Sequence, residues 1–173
     1  MKFSLADKSA IVTGGVSGIG RAICEVFSEM GATVHILDVA GDAIGWISAS
    51  SADTKIFYHR VDITKIEEVE SVMNSIDQAS GIDILVNNAG IAHIGNAEDT
   101  SPLDFERVMQ VNVHGAYHCI HAALPYMKKR KKGCILNIAS TVASIAIANR
   151  SHEYCPFRCR IFSENCTSLF LSK

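Results

Sequence analysis

A glycine-rich stretch between an apolar run and an amphipathic segment constrains the fold of this sequence most. The stretch from Thr13 to Gly20 reads T-G-G-V-S-G-I-G and follows the apolar run 9–12. Apolar residues recur at helical spacing after it, so the stretch joins a buried strand to a helix. Because glycine has no Cβ, it permits a tight turn and a close approach of the backbone to a ligand. The free N–H groups of the helix would then face a bound phosphate.

The segments that follow predict a regular alternation of strands and helices. Apolar runs at 33–39, 55–62, 83–86 and 134–140 are interpreted as strands, and amphipathic segments separate them. That alternation predicts an α/β fold, a doubly wound, Rossmann-like parallel sheet with helices on both faces. Ligands bind such sheets at the carboxyl ends of the strands. We expect this dinucleotide-binding domain to span residues 1–150.

Polar residues stand at several of those strand ends. Asp38 ends the second strand, where an acidic side chain accepts hydrogen bonds from ribose hydroxyls and repels the extra phosphate of NADP. Neither Gly15 nor Val39 supplies a cation for that phosphate, so the sequence favours NAD. A strand-terminal aspartate that merely starts a turn is the alternative. Asn87 and Asn88 directly follow the fourth strand, and we expect them to cap it and to face the ligand crevice.

Composition and charge exclude several classes of partner. The formal net charge of the 173 residues is −2, so no general attraction to nucleic acid or to anionic membranes is expected. No apolar run approaches the roughly 18 residues of a membrane-spanning helix. The N-terminal segment holds no signal-peptide core, which favours a cytoplasmic location.

Helix ends carry further signals. Thr64 to Glu67 has the pattern of a capping box. The basic run 128–132 by itself suggests nucleic-acid binding, but cations complement the negative end of a helix, and Gly133 would cap that helix. His114 and His118 lie four residues apart on the same predicted helix. Because no third ligand accompanies them, we expect surface or packing histidines rather than a metal site.

Two motifs together resemble the short-chain dehydrogenase/reductase family over about residues 5–150. They are T-G-x-x-x-G-x-G at 13–20 and N-N-A-G at 87–90. The resemblance implies a nicotinamide-dependent oxidoreductase that interconverts a secondary alcohol and a ketone by hydride transfer. It implies that glycines surround the pyrophosphate and that an acidic residue selects NAD. It also implies that further residues border the adenine and line the other side of the cofactor. The implied cofactor-binding residues are Gly14, Ser17, Gly18, Ile19, Gly20, Asp38, Asp62, Ile63, Asn87, Asn88, Ala89 and Gly90.

The resemblance also implies a catalytic set. Asn112 falls on the apolar stripe of a long predicted helix at 101–130, so it must be hydrogen-bonded there. A bond to neighbouring backbone is one interpretation, and a water-holding role in the family's proton relay is the other. Ser140, at the end of the fifth strand, would orient the substrate. Tyr154 would exchange the proton, and Arg158 stands where the family has lysine.

The sequence departs from the family pattern after about residue 150. Arginine keeps the charge of lysine, but its planar fork does not replace a compact ammonium. Pro156 lies where the family continues into a helix. The family's last strands are missing, which would leave the fifth strand as an open edge. We expect residues 151–173 to be an atypical tail, out of frame or alternatively spliced, in which Tyr154 is a coincidence.

A zinc site is a second interpretation of this tail. Its potential ligands are His152, Cys155, Cys159 and Cys166. Their spacing fits no common zinc pattern, so the sequence predicts no metal.

Two classes of function follow. The first is an NAD-dependent dehydrogenase or reductase that acts on a small-molecule alcohol or ketone. The second is a catalytically inactive cofactor-binding fragment, or a subunit that only associates with full-length partners. The family's dimers imply that a homo-oligomer would form through the 101–130 helix. Turnover separates the two, because only the first predicts carbonyl-dependent oxidation of NADH.

Overall fold

A five-stranded parallel sheet forms the centre of the structure. The computed structural model describes residues 4–41, 45–48, 55–95 and 98–140. Its strands are β1 (Ser9–Thr13), β2 (Thr33–Asp38), β3 (Ile56–Arg60), β4 (Ile84–Asn87) and β5 (Cys134–Asn137). They pair in the order β3-β2-β1-β4-β5, and all four pairings are parallel. The chain therefore winds outward from β1 in both directions, which makes the gap between β1 and β4 the switch point of the sheet.

Helices cover both faces of this sheet. They are α1 (Gly18–Glu29), α2 (Gly45–Ser48), α3 (Ile66–Ser80), α4 (Pro102–Met109), a π-helical segment (Gln110–Gly115) and α5 (Ala116–Arg130). On one face Cys24 of α1 packs with Val12 and Val34. On the other face Met73 of α3 and Met127 of α5 join a second cluster of buried residues. The predicted doubly wound, Rossmann-like fold is confirmed.

The central strands are buried on both faces. Every residue of β1 is buried, and Ala10, Ile11 and Val12 have no exposed surface. A strand with helices above and below it needs apolar residues at successive positions, which explains the continuous apolar run in the sequence. The core thus holds the carboxyl end of β1, and the glycine turn after it, in a fixed place.

Two predicted helix caps are wrong. The helix α3 begins after Lys65 and has no side-chain cap, because the Thr64 hydroxyl donates instead to Asp62 Oδ1 at 2.7 Å. At the end of α5 it is Lys131, not Gly133, that takes the left-handed conformation, with φ 52°. Local patterns placed both caps within two residues of the helix ends, which is the usual uncertainty of a helix boundary.

The long helix predicted at 101–130 is interrupted. Ser101 caps its start, since its Oγ accepts a hydrogen bond from the N–H of Asp104 at 3.1 Å. After Met109 the chain runs through the π-helical segment before α5 begins. A π-helical segment carries one extra residue per turn, and such segments are frequent at functional sites.

None of the helices in the described part of the chain is long and apolar enough to cross a membrane.

Candidate functional site

The glycine turn leaves β1 at the switch point of the sheet. Gly14 has φ +65° and Gly18 has φ +53°, conformations that cost little only for glycine. A Cβ on Gly14 would lie 2.8 Å from the Cα of Ala89, so the turn packs directly on the backbone that follows β4. A Cβ on Gly18 would meet no heavy atom within 4 Å, so this residue faces open space.

The amino terminus of α1 opens onto the same space. Ser17 is its N-cap residue, in an extended conformation and without a side-chain cap hydrogen bond. The first N–H groups of an α-helix have no partner within the helix, so they are available to an anion beside the turn. Ile19 is 65% exposed in this first turn. The turn and the helix terminus together form an open cradle with hydrogen-bond donors at its base.

A cluster around Thr13 fixes the turn against the next strand. Thr13 Oγ1 accepts hydrogen bonds from the N–H groups of Asn88 and Ala89, both at 3.0 Å. The Asn88 side-chain amide donates to the carbonyl oxygens of Thr13 and Gly14, at 3.0 and 3.1 Å. Gly20 completes the packing, since a Cβ there would collide with the carbonyl oxygen of Gly14. Sequence analysis missed Thr13, although a small polar residue directly before the glycines was the available signal.

Asn87 is directed into the protein on the other side of the strand. It is 6% exposed, and its Nδ2 donates to Asn137 Oδ1 at 2.8 Å. Among the described residues, Asn87 Oδ1 and Asn137 Nδ2 have no hydrogen-bond partner. Both asparagine amides of the N-N-A-G motif therefore bond within the protein, and their contact with a ligand in the crevice stays a prediction.

Asp38 ends β2 beside the glycine turn, as predicted. Its Oδ2 accepts a hydrogen bond from the N–H of Val16 at 3.2 Å, and its Oδ1 accepts one from the N–H of Ala40 at 3.1 Å. The first bond ties the carboxylate to the glycine turn, and the second ties it to the turn that follows β2. Tyr58, which sequence analysis did not single out, places its hydroxyl on this second turn.

Asp62 and Ile63 follow β3 and take different roles. Asp62 Oδ1 accepts hydrogen bonds from the Thr64 hydroxyl and from the Thr64 N–H, and the hydroxyl bond chiefly lowers the pKa of Asp62. Ile63 is buried, and its carbonyl oxygen bonds His118 Nδ1 at 2.9 Å. Asp62 is therefore an ionised group that stabilises its own loop, while Ile63 packs beneath the π-helical segment.

Asn112 lies in the π-helical segment and bonds the backbone of one residue twice. Its Oδ1 accepts from the N–H of Ile91 at 2.8 Å, and its Nδ2 donates to the carbonyl oxygen of Ile91 at 2.9 Å. A Cβ on Gly90 would lie 3.1 Å from the Asn112 Oδ1, which leaves little room there. Of the two interpretations of Asn112, the structure shows the backbone hydrogen bond, and its catalytic role stays a prediction.

Other predicted residues lie at or beyond the end of the described chain. Ser140 is half-buried and lies three positions after β5 ends at Asn137. Tyr154, Arg158 and the remainder of 141–173 fall outside the described residues. Within the ranges that the structure covers, no group of three or more histidine, cysteine or acidic side chains could hold a metal ion. His114 instead bonds Gln110 Oε1 at 3.2 Å.

The strand order and the glycine turn at the switch point define a Rossmann-like α/β protein. The short chain dehydrogenase family model matches residues 8–155, and the chain belongs to this family. The matched range includes Tyr154 and ends before Arg158.

Relatives and solved structures agree with this assignment. The chain is 37% identical over 151 residues to the D-beta-hydroxybutyrate dehydrogenase of Cupriavidus necator, covering 85% of this chain and 58% of that one. It is 36% identical to the NAD-dependent glycerol dehydrogenase of Listeria innocua, covering 93% and 63%. The apo crystal structure of LigO from Sphingobium has a TM-score of 0.85 at 29% identity, covering 95% and 63%. The chain thus spans about three-fifths of the length of the proteins it matches.

Proposed function

We propose that this chain binds NAD(H) and belongs to an oxidoreductase that interconverts a secondary alcohol and a ketone. The observation that carries the proposal is the cradle at the switch point, where Gly14 and Gly18 take positive φ beside the start of α1. Family membership supports the reaction class, and a relative named as an NAD-dependent dehydrogenase supports the cofactor.

The cradle fits a dinucleotide pyrophosphate. It is open at Gly18, Ser17 and Ile19, and it is closed behind by Gly14 and Gly20, where a larger residue would collide with neighbouring backbone. The helix terminus supplies N–H groups and a favourable dipole for two negative phosphates. The other proposed contacts follow strand ends, and they are Asp38, Asp62, Ile63, Asn87, Asn88, Ala89 and Gly90.

Asp38 supports the choice of NAD over NADP. A carboxylate at the end of β2 accepts hydrogen bonds from ribose hydroxyls, and it repels a phosphate in their place. Each oxygen of the Asp38 carboxylate accepts one hydrogen bond, from Val16 or from Ala40. Because a carboxylate oxygen accepts about two hydrogen bonds, each can still accept one from a ribose hydroxyl.

For the reaction, we propose the catalytic set that the family implies. The bound cofactor supplies a hydride donor or acceptor. Ser140 would bond the substrate oxygen, Tyr154 would exchange the proton with it, and Arg158 would supply the positive charge beside Tyr154. Asn112 would keep the loop at Ile91 in place and extend the proton relay.

A binding titration tests the cofactor proposal. We expect NADH to bind the wild-type chain and Gly18→Ala to weaken that binding at least about tenfold, because the new methyl group enters the open cradle. Gly31→Ala is the matched control, since Gly31 also has positive φ (+93°) but packs near Ala6. Equal affinities in the two variants, or no binding by the wild type, would contradict the proposal.

Turnover separates the active enzyme from its alternative, an inactive cofactor-binding fragment or association-only subunit. The alternative is favoured by Pro156 and Arg158, which depart from the family pattern. Loss of NADH absorbance that depends on an added ketone would establish activity. Binding of NADH without such loss, across several small ketones and keto acids, would establish the fragment.

A further inference from the structure

Tyr58 reaches from β3 to the turn that carries Asp38. It lies in the middle of β3, opposite Ile36 of β2, and its ring packs against the buried cluster under α1. Its hydroxyl lies 3.2 Å from the carbonyl oxygen of Asp38 and 3.0 Å from that of Ala40. The ring is thus held by the core, while its polar end contacts the chain where β2 stops.

This hydroxyl closes the turn after β2. A tyrosine hydroxyl has one proton to donate, and here two carbonyl oxygens converge on it. The Asp38 carbonyl is also held by the N–H of Val61 at 3.0 Å. The Ala40 carbonyl therefore depends on Tyr58 more than the Asp38 carbonyl does. Val39, between them, is 58% exposed and contributes little packing.

The same turn sets the direction of the Asp38 carboxylate. The N–H of Ala40 donates a hydrogen bond to Asp38 Oδ1. If Ala40 moves, the Asp38 carboxylate loses this donor. The other oxygen is bonded to Val16 of the glycine turn. A chain of contacts therefore runs from the Tyr58 hydroxyl through Ala40 to the group that faces the adenosine ribose in the proposed function.

We propose that Tyr58 is a positioning residue for cofactor choice, holding Asp38 where it accepts the ribose of NAD and repels the phosphate of NADP. This inference rests on the proposed function. It predicts that removing the hydroxyl weakens NADH binding more than NADPH binding, because only NADH relies on the oriented carboxylate. A merely structural role would weaken both alike.

The test compares two tyrosine-to-phenylalanine variants. Tyr58→Phe keeps the buried ring and removes the hydroxyl. Tyr126→Phe is the control, because its hydroxyl bonds the exposed Asn74 side chain at 3.3 Å on the opposite side of the sheet. Dissociation constants for NADH and NADPH are measured by fluorescence titration. We expect the preference for NADH to fall about fivefold in Tyr58→Phe, as for one lost hydrogen bond, and to stay unchanged in Tyr126→Phe.

A double mutant shows whether the effect passes through the carboxylate. In an Asp38→Ala background, Tyr58→Phe should leave the NADH-to-NADPH ratio where Asp38→Ala alone puts it. A further fall in the ratio in that background would overturn the positioning role. An equal rise of both dissociation constants in the Tyr58→Phe single variant would also overturn it.

The wild-type measurement distinguishes the two proposals. If the wild type binds neither dinucleotide, or binds both equally, the proposed function fails whatever the variants do. If the wild type prefers NADH and Tyr58→Phe keeps the full preference, only the role of Tyr58 fails. Thermal melts of each variant, with and without NADH, show that the folded state is being compared.

Discussion

At the scale of single residues, the most consequential side chain is a buried hydroxyl. Thr13 is 1% exposed and is the shared acceptor for two N–H groups beyond β4. Its own proton points towards the carbonyl oxygen of Val86, at 3.5 Å. One oxygen atom thus couples the glycine turn to the N-N-A-G motif across the switch point.

Replacing this hydroxyl should destabilise the fold strongly. Thr13→Val keeps the shape but leaves the N–H groups of Asn88 and Ala89 without an acceptor. Each orphaned buried donor costs about 1–3 kcal/mol, so we expect the free energy of unfolding to fall by about 2–4 kcal/mol in a urea titration. Thr13→Ser, which retains the oxygen, should lose much less. Equal losses in the two variants would mean that Thr13 acts through its methyl group.

A histidine pair makes the stability of the fold depend on pH. His35 Nδ1 and His59 Nε2 lie 3.0 Å apart, and the rings stack with centroids 5.2 Å apart. Burial, with a smaller contribution from the charge of His59, lowers the pKa of His35 to about 4. Burial also lowers the pKa of His59. Both imidazoles are therefore neutral in the folded protein at neutral pH.

The sign of the pH effect follows from these lowered pKa values. The unfolded chain takes up protons near a pKa of about 6.5, before the folded chain does. Stability should therefore be full above about pH 6.5 and should fall as the pH drops towards 4. Urea titrations across this range measure the slope, and His35→Gln should flatten it. His114→Gln, at an exposed site, is the control, and a slope that His35→Gln leaves unchanged would contradict the assignment.

Residue identities were easier to predict from the sequence than residue partners. The sequence indicated that Asn112 must be hydrogen-bonded, but it could not supply Ile91, which lies on a separate loop. It placed Asn87 and Asn88 correctly at a strand end, but it did not predict their hydrogen bonds to Asn137 and Gly14. Such partners depend on which strands become neighbours, and short polar side chains have several local alternatives.

At the scale of elements, the π-helical segment is the main departure from the predicted helix. The apolar spacing correctly indicated a helix, but periodicity carries no signal for one extra residue in a turn. Two tertiary contacts mark the segment, the Asn112 bonds to Ile91 and the packing of Gly115 on Ile63. A Cβ on Gly115 would lie 2.6 Å from Ile63 Cδ1.

Because of this packing, a side chain added at Gly115 is expected to lower the free energy of unfolding. Gly115→Ala should lower the free energy of unfolding by about 1–3 kcal/mol, because the methyl group overlaps a buried side chain. Gly45→Ala is the control, since a Cβ there meets nothing within 4 Å. Adding Ile63→Val to Gly115→Ala should recover part of the loss. If Gly115→Ala proves neutral by urea titration, the segment is less tightly packed than its contacts indicate.

At the end of α5, a substitution is expected to raise the free energy of unfolding rather than lower it. Lys131 is a non-glycine residue in the left-handed conformation, which costs about 1 kcal/mol. Lys131→Gly should therefore raise the free energy of unfolding by about 0.5–1 kcal/mol. Lys129→Gly, two residues earlier and within the helix, should lower it by a similar amount. Thermal melts of both variants measure the difference, and the same sign in both would contradict the cap.

At the scale of the whole molecule, the alternation of strands and helices in a parallel sheet was predictable, and the strand ends were less so. Each observed strand overlaps a predicted run, and β1 and β4 extend one residue past theirs, to Thr13 and Asn87. The overlap arises because strands covered by helices on both faces require continuous apolar residues. The run to Ser140 was too long, since β5 ends at Asn137. Where a strand stops depends on its pairing with β4, which the sequence pattern does not contain.

The proposed homo-oligomer contact is a whole-molecule prediction. On α4, Leu103 is 82% exposed and Phe105 is 41% exposed, and Tyr117 of α5 is 51% exposed. Burying these side chains between two copies would favour association. We expect Leu103→Asp to shift sedimentation towards the monomer, while Ile94→Asp, an exposed site outside these helices, leaves it unchanged. A wild-type chain that sediments as a monomer would overturn this contact.

The bond between Thr13 and Asn88 also has a consequence for how the protein is made. The two residues are 75 positions apart, and between them the chain forms β2, β3 and α3. A nascent chain on the ribosome can build β1 against β2 early, and Asp38 can then bond Val16 of the glycine turn. The contacts of the turn with Asn88 and Ala89 form only after those residues emerge. Closing so long a loop is entropically slow compared with forming a helix. The turn should therefore acquire its native geometry late in translation, after the first half of the sheet is in place.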